Sequence, residues 1–197
     1  MEGIYFYWCA WVVWIYATFL MKKTKWRTAL AAGVLLLMSG SIYHVGIGVF
    51  SLTYSFLFLF VAAFALTANG GKQLGYLFMA ALAVAFLSAA FRLLALADPV
   101  WVWADERWML AISMAAICLM LHRDSATRLF AAIIGSCQGE IVYAVAVRDV
   151  FPYTIGSLPF FDALALTCAC LFVWSLFENM HHHVDAWQKQ MKRNKPL

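Results

Sequence analysis

Charge is what this chain has least of. Lys, Arg, Asp and Glu make up 12% of its 197 residues, whereas an ordinary soluble domain carries about 25%. With 65% of the residues apolar, a water-soluble globule of this size could not hide its Leu, Ala, Phe and Trp. Proline is scarce as well, and there is no Pro-rich linker, internal repeat, low-complexity tract or separate soluble domain. The five cysteines (Cys9, Cys118, Cys137, Cys168 and Cys170) all lie inside apolar runs. Their odd number excludes a complete disulfide framework, and Cys168-Ala169-Cys170 lacks the spacing of a redox or zinc pair. They read as small buried hydrophobes.

Catalytic signatures are equally lacking. The chain has no HExxH, no GxSxG and no phosphate-cradling glycine loop. The last apolar run contains no Lys, which excludes a retinal-type Schiff base. No histidine lies inside an apolar run, so paired-histidine cofactor binding is not read either. His181, His182 and His183 are adjacent and point in different directions on a helix, which suits interfacial anchoring rather than one metal site. No cofactor and no metal is assigned.

What the chain does have is hydrocarbon in long stretches. A helix needs roughly 20 residues to cross a bilayer, and seven stretches approach that length: about 3–21, 28–43, 51–68, 74–97, 104–121, 129–147 and 154–177. The first follows only Met1 and Glu2, with no basic n-region, so it reads as a retained span rather than a removed leader. It is dense in Tyr and Trp, as at a membrane interface. Residues Ile42 to Phe50 read as a short turn, and Asn69-Gly70-Gly71 as another. The fifth stretch is short, and its helix is expected to start near Val100 or Ala104, ahead of Arg107. The expected fold is all-α: a seven-span transmembrane bundle over residues 1–180, followed by a basic tail, 181–197.

Orientation follows from the loops. Basic clusters at Lys22–Arg27, Lys72, Arg123–Arg128 and the tail fall on one side of a seven-span chain and hold eleven of its fourteen Lys and Arg. Arg92, Arg107 and Arg148 lie on or near the other side, beside the acidic Asp98–Glu106 stretch. Basic loops stay in the cytoplasm, which places the N-terminus outside and the tail inside. The net charge of +4 is therefore a topology signal. It is not a nucleic-acid-binding stripe, and the expected partner is the lipid bilayer. The tail, with Trp187, Lys189, Met191, Lys192, Arg193 and Lys195, either lies on an anionic inner leaflet or is solvated.

Ionisable side chains inside hydrocarbon cost about 2.5–3.5 kcal/mol each at mid-span, so each needs a reason. Arg92 sits in the fourth stretch, Glu140 in the sixth beside Gln138, and Asp162 in the seventh. In the deduced topology they share one depth in the outer half of the bilayer, with His44 near them. Ala81, Ala85 and Ala89 form a small-residue stripe leading to Arg92, and Ala131, Gly135 and Gly139 repeat that spacing ahead of Glu140. Such stripes let membrane helices approach closely, so Arg92 is expected to face Glu140 or Asp162. Three readings stay open: a structural ion cluster, a substrate or ion pathway, and separate snorkelling to the interface. One Arg between two carboxylates would also make the acids share a proton.

The opening Met1-Glu2-Gly3-Ile4-Tyr5-Phe6-Tyr7-Trp8 with Lys22-Lys23 resembles the start of the YphA family of small polytopic membrane proteins from Bacillus and relatives. Phe91-Arg92, Asp98-Pro99-Val100-Trp101 and Gly135-Ser136-Cys137-Gln138-Gly139-Glu140 extend the resemblance over most of the chain. It implies a bacterial plasma-membrane protein, and it carries no activity to transfer. From the residues themselves, tiny loops favour a non-enzymatic structural or accessory envelope component. A small proton-coupled transporter or channel using Arg92, Glu140 and Asp162 is the alternative. An enzyme acting on lipid at the outer interface has the least support.

Overall fold

A computed structural model describes residues 2–48, 50–67 and 74–193, the side chains of Ile47, Leu74 and residues 182–193 excepted. Asn69, Gly70, Gly71 and Lys72 lie outside the described residues, as do Lys195 and the side chains of His182, His183, Trp187, Lys189, Met191, Lys192 and Arg193. The described residues form seven helices: α1 (Ile4–Ile15), α2 (Lys25–Gly40), α3 (Tyr54–Thr67), α4 (Leu74–Ala97), α5 (Glu106–Leu121), α6 (Ser125–Val147) and α7 (Leu158–Arg193). A π-helical turn, Tyr16–Leu20, extends α1. Three helical segments, Gly75–Ala97, Ser125–Val147 and Leu158–His181, are by themselves long and apolar enough to cross a membrane.

Three differences from the sequence reading bear on how the polar interior is built. The short turn expected over Ile42 to Phe50 is instead an antiparallel hairpin of β1 (His44–Ile47) and β2 (Phe50–Thr53). Parallel to β2 runs β3 (Thr154–Ile155), pairing Ser51 with Thr154 and Leu52 with Ile155. Short β-branched segments at the ends of apolar runs are thus strands, and α3 and α7 begin later than expected. The third difference is α5, which starts at Glu106 rather than near Val100 or Ala104. A 3₁₀ turn, Pro99–Trp101, comes first, and the Asp105 carboxylate then accepts from the Arg107 amide at 2.9 Å. That side chain satisfies one of the orphan amides of a first helical turn, which sets the start there. Asp124 does the same for α6 through Thr127.

Contacts at the two ends show the helices alternating in direction. Gly3, Arg107, Asp162, Tyr153 and the sheet share one end. Tyr76, Leu121, Arg128 and Glu178 share the other. In the middle, α4 and α6 pack backbone to backbone. A Cβ on Gly135 would sit 2.6 Å from the Val84 Cβ and 2.7 Å from the Ala81 carbonyl oxygen, and one on Gly139 would collide with Ser88 and lie 2.8 Å from the Ala85 oxygen. Small residues on both helices make this approach possible. Around it, Phe6, Phe56, Phe160 and Phe161 build an aromatic core joining α1, α3 and α7. By contrast, α2 buries no residue and leans on α1 and α3 at the periphery. Trp8 and Phe19, 72% and 74% exposed, point away from the bundle, as expected of side chains that meet lipid.

Candidate functional site

The polar interior at the first end consists of two ion pairs. Glu140 is fully buried on α6 and receives the Arg92 guanidinium from α4. Its other oxygen, Oε1, accepts from the Tyr153 hydroxyl at 2.7 Å and the Gly156 amide at 3.2 Å. Tyr153 also accepts from Arg92 at 3.3 Å, and the guanidinium stacks 5.0 Å from the Tyr143 ring centre. Burial and the neighbouring carboxylate push the Tyr153 phenol above its ordinary pKa, so it is a neutral donor. Gly156 is required here: its φ is +76°, and a Cβ would run into Phe56.

Asp162 is equally buried on α7 but stands apart from this group. It pairs with Arg107 of α5 at 2.7 Å and accepts from the Gly3 and Phe6 amides at 2.7 and 2.9 Å. Those amides belong to the start of α1, where a helix leaves donors unsatisfied. No side chain caps α1 locally. Asp162 therefore does from across the bundle what Asp105 and Asp124 do within their own segments.

The structure thus separates a group that the sequence had drawn as one triad. Arg92 meets Glu140, whereas Asp162 meets Arg107, which also lies 3.4 Å from the more exposed Asp105. Glu140 and Asp162 do not share Arg92, so the proton-sharing expected between them has no geometric basis here. His44 is solvent-exposed on β1 and joins neither pair. Gln138 lies on another face of α6 from Glu140, and its buried side-chain oxygen has no hydrogen-bond partner among the described residues. A cavity of about 10 Å³ borders Arg92, Glu140, Ser88 and Ser136, which is room for roughly one water.

A third pair closes the opposite end. Arg128 grips Glu178 with two bonds, at 2.6 and 3.1 Å, and donates Nε to the His122 carbonyl at 2.6 Å. His122 itself is 6% exposed, its Nε2 has no hydrogen-bond partner among the described residues, and its ring meets Tyr76 edge-on. Burial, then the Arg128 charge, lowers its pKa, against a smaller opposing pull from Asp124.

Arg107, Tyr153, Arg128 and Glu178 were not singled out as site residues from the sequence. The first sits in an acidic, Trp-rich stretch and looks like an interfacial residue. Arg128 lies in the first turn of α6, Tyr153 in the loop after it and Glu178 just past the last apolar run, where polarity is unremarked. The available signal was charge balance, since two buried acids call for two cations.

Among the described residues no cluster of His, Cys, Asp or Glu could hold a metal ion. The chain matches the model of the YphA-like integral membrane proteins over residues 2–197. It belongs to that family. It is also similar to the uncharacterised protein YphA of Bacillus subtilis (strain 168), at 28% identity over 196 residues, covering 99% of this chain and 97% of that protein. No solved structure matches. The chain is therefore an integral membrane protein, and its family brings no assigned chemistry to the two pairs.

Proposed function

We propose that this chain is a seven-span protein of the bacterial cell membrane, non-enzymatic, acting as a structural or accessory component of the envelope. The N-terminus faces outward, and α7 carries the basic tail into the cytoplasm. The alternation of helix directions supports this orientation together with the positive-inside bias, because the end holding Arg128 is also where α1 stops and Lys22 to Arg27 begin. The observation that carries the functional reading is the separate pairing of Glu140 with Arg92 and of Asp162 with Arg107. Each carboxylate is closed by a cation and by backbone donors, as a device that fixes helix register would be.

A proton-coupled pathway through Arg92, Glu140 and Asp162 is the second reading. One feature favours it: the small cavity touching Glu140 between Ser88 and Ser136. Such a route would need a chain of waters from one face to the other, and this cavity has space for about one. Reconstitution into liposomes loaded with a pH-sensitive dye tests the choice. Proton flux indistinguishable from empty liposomes is expected. Flux that disappears in Glu140→Gln while the protein still folds would replace the structural reading with the relay. Single cysteines placed at Asp105 and Arg123 should label from opposite sides of the membrane, and labelling from one side would refute the span count.

A further inference from the structure

A second cavity, of about 350 Å³, opens beside the turn that follows α6. That volume lies within the roughly 300–1,000 Å³ range of small-ligand sites. Its apolar wall is made by Phe50, Phe151, Pro152 and Tyr153, and its rim carries Arg148 and Asp149. Tyr153 is a firm wall, since its hydroxyl is held by both Glu140 and Arg92 and its ring packs edge-on against Tyr143 and Phe151. The rim is the opposite: Arg148 and Asp149 touch at 3.3 Å, with side chains 53% and 82% exposed. A wet pair of this kind contributes only about 0–1 kcal/mol, so either charge can turn to a ligand at little cost.

The geometry points to a site for the headgroup of a zwitterionic phospholipid of the phosphoethanolamine class. Such a headgroup carries an anion and a primary ammonium a few ångströms apart. Arg148 suits the phosphate because its guanidinium offers paired donors to phosphate oxygens. Asp149 suits the ammonium because a carboxylate accepts its N–H bonds, which a quaternary amine cannot offer. The aromatic wall takes the glycerol and upper acyl carbons, and Val150, 73% exposed beside the rim, meets the same apolar layer. The turn lies at the end of the bundle that holds Gly3 and Asp162, so the lipid belongs to the outer leaflet. That last assignment alone rests on the proposed orientation, which the cysteine labelling tests separately.

The test is retention of lipid by the full chain, purified from nanodiscs with equal phosphatidylethanolamine and phosphatidylglycerol and read by native mass spectrometry. Wild type should keep phosphatidylethanolamine over phosphatidylglycerol by about two- to fivefold, the reach of one surface charge contact. Asp149→Asn should erase that preference and leave phosphatidylglycerol bound as before, whereas Arg148→Gln should weaken both lipids. Both substitutions are at exposed positions, and an unchanged melting temperature verifies the fold. Equal retention of the two lipids by wild type, or a preference that survives Asp149→Asn, overturns the proposal. Soluble glycerophosphoethanolamine added at millimolar concentration should not displace the lipid. Full displacement would make the ligand a free zwitterion and overturn the assignment to lipid.

Discussion

Glu140 and Asp162 are two fully buried carboxylates at the same end of one bundle, and the protein treats them differently. Glu140 joins two long helices face to face, and its cation is nearly as dry as itself, the Arg92 side chain being 13% exposed. Asp162 instead caps the start of α1 through two amides, and Arg107 beside it is 25% exposed. One acid is an inter-helix bond whose partner has nowhere else to go. The other is a helix cap supplied from a distance, with a cation that already sees solvent. Proximity in depth, which made them look like one device, says nothing about which neighbours each acid serves.

The sharpest way to break this contrast is to remove Glu140 alone. Glu140→Leu strands the Arg92 charge between α4 and α6 and should destabilise the fold by about 3–5 kcal/mol, as when one partner of a buried pair is lost. Replacing both, in Arg92→Leu/Glu140→Leu, removes the stranded charge, so most of that loss should be recovered. Denaturation in mixed micelles reads both values. If the double variant is as unstable as the single one, Arg92 and Glu140 are not energetically coupled.

The second variant addresses the cap. Asp162→Asn keeps one acceptor oxygen and loses the charge, and should cost about 2–3 kcal/mol through weakened donors at the α1 start. Hydrogen exchange separates it from the first: the Gly3 and Phe6 amides should exchange faster in Asp162→Asn, with α4 and α6 unchanged. Faster exchange in α6 instead would mean that the two acids form one network after all. A third, smaller effect tests the helix contact rather than the charge. Gly139→Ala puts a methyl against Ser88 and the Ala85 carbonyl, and should cost about 1–2 kcal/mol by overpacking. It should perturb Glu140 and spare the α1 start.

The contact between α4 and α6 was legible because it is written in local spacing. Ala81, Ala85 and Ala89 on one helix and Ala131, Gly135 and Gly139 on the other recur every four residues, and a helix puts such residues on one face. Arg92 continues the first face and Glu140 borders the second, so an approach of Arg92 to Glu140 or to Asp162 was the expectation, and the fold selects Glu140. The partner of Asp162 was not legible in that way. It depends on where α5 begins, which the Asp105 cap decides, and on α1 reaching α7 with its amides foremost. Tyr153 was hidden for a related reason. It is carried to Glu140 by the loop between α6 and β3, and the β2–β3 pairing that anchors this loop joins residues about a hundred positions apart in sequence. The strands themselves are two to four residues long and sit inside apolar runs, where periodicity cannot distinguish a short buried strand from a helix end.

The smallest effect concerns the opposite end, where a buried Arg128, paired with the partly exposed Glu178, sits beside a dry histidine. The His122 ring is held neutral by burial and by the nearby Arg128 charge, with its pKa below the ordinary 6.5. In the unfolded chain this histidine takes up a proton near its ordinary value, so below that pH the unfolded state binds more protons than the folded one. Stability must then rise with pH across that window. The His122 contribution is fully present above about pH 6.5 and is lost as pH falls toward the lowered folded value. Unfolding measured from pH 7.5 down to 5.5 should show this slope, and His122→Gln should flatten it without altering the Glu140 or Asp162 variants' effects. A slope that persists in His122→Gln would place the titration elsewhere. It would also remove the distinction between the end whose buried carboxylates are paired with cations and the opposite end, whose histidine is kept uncharged by burial.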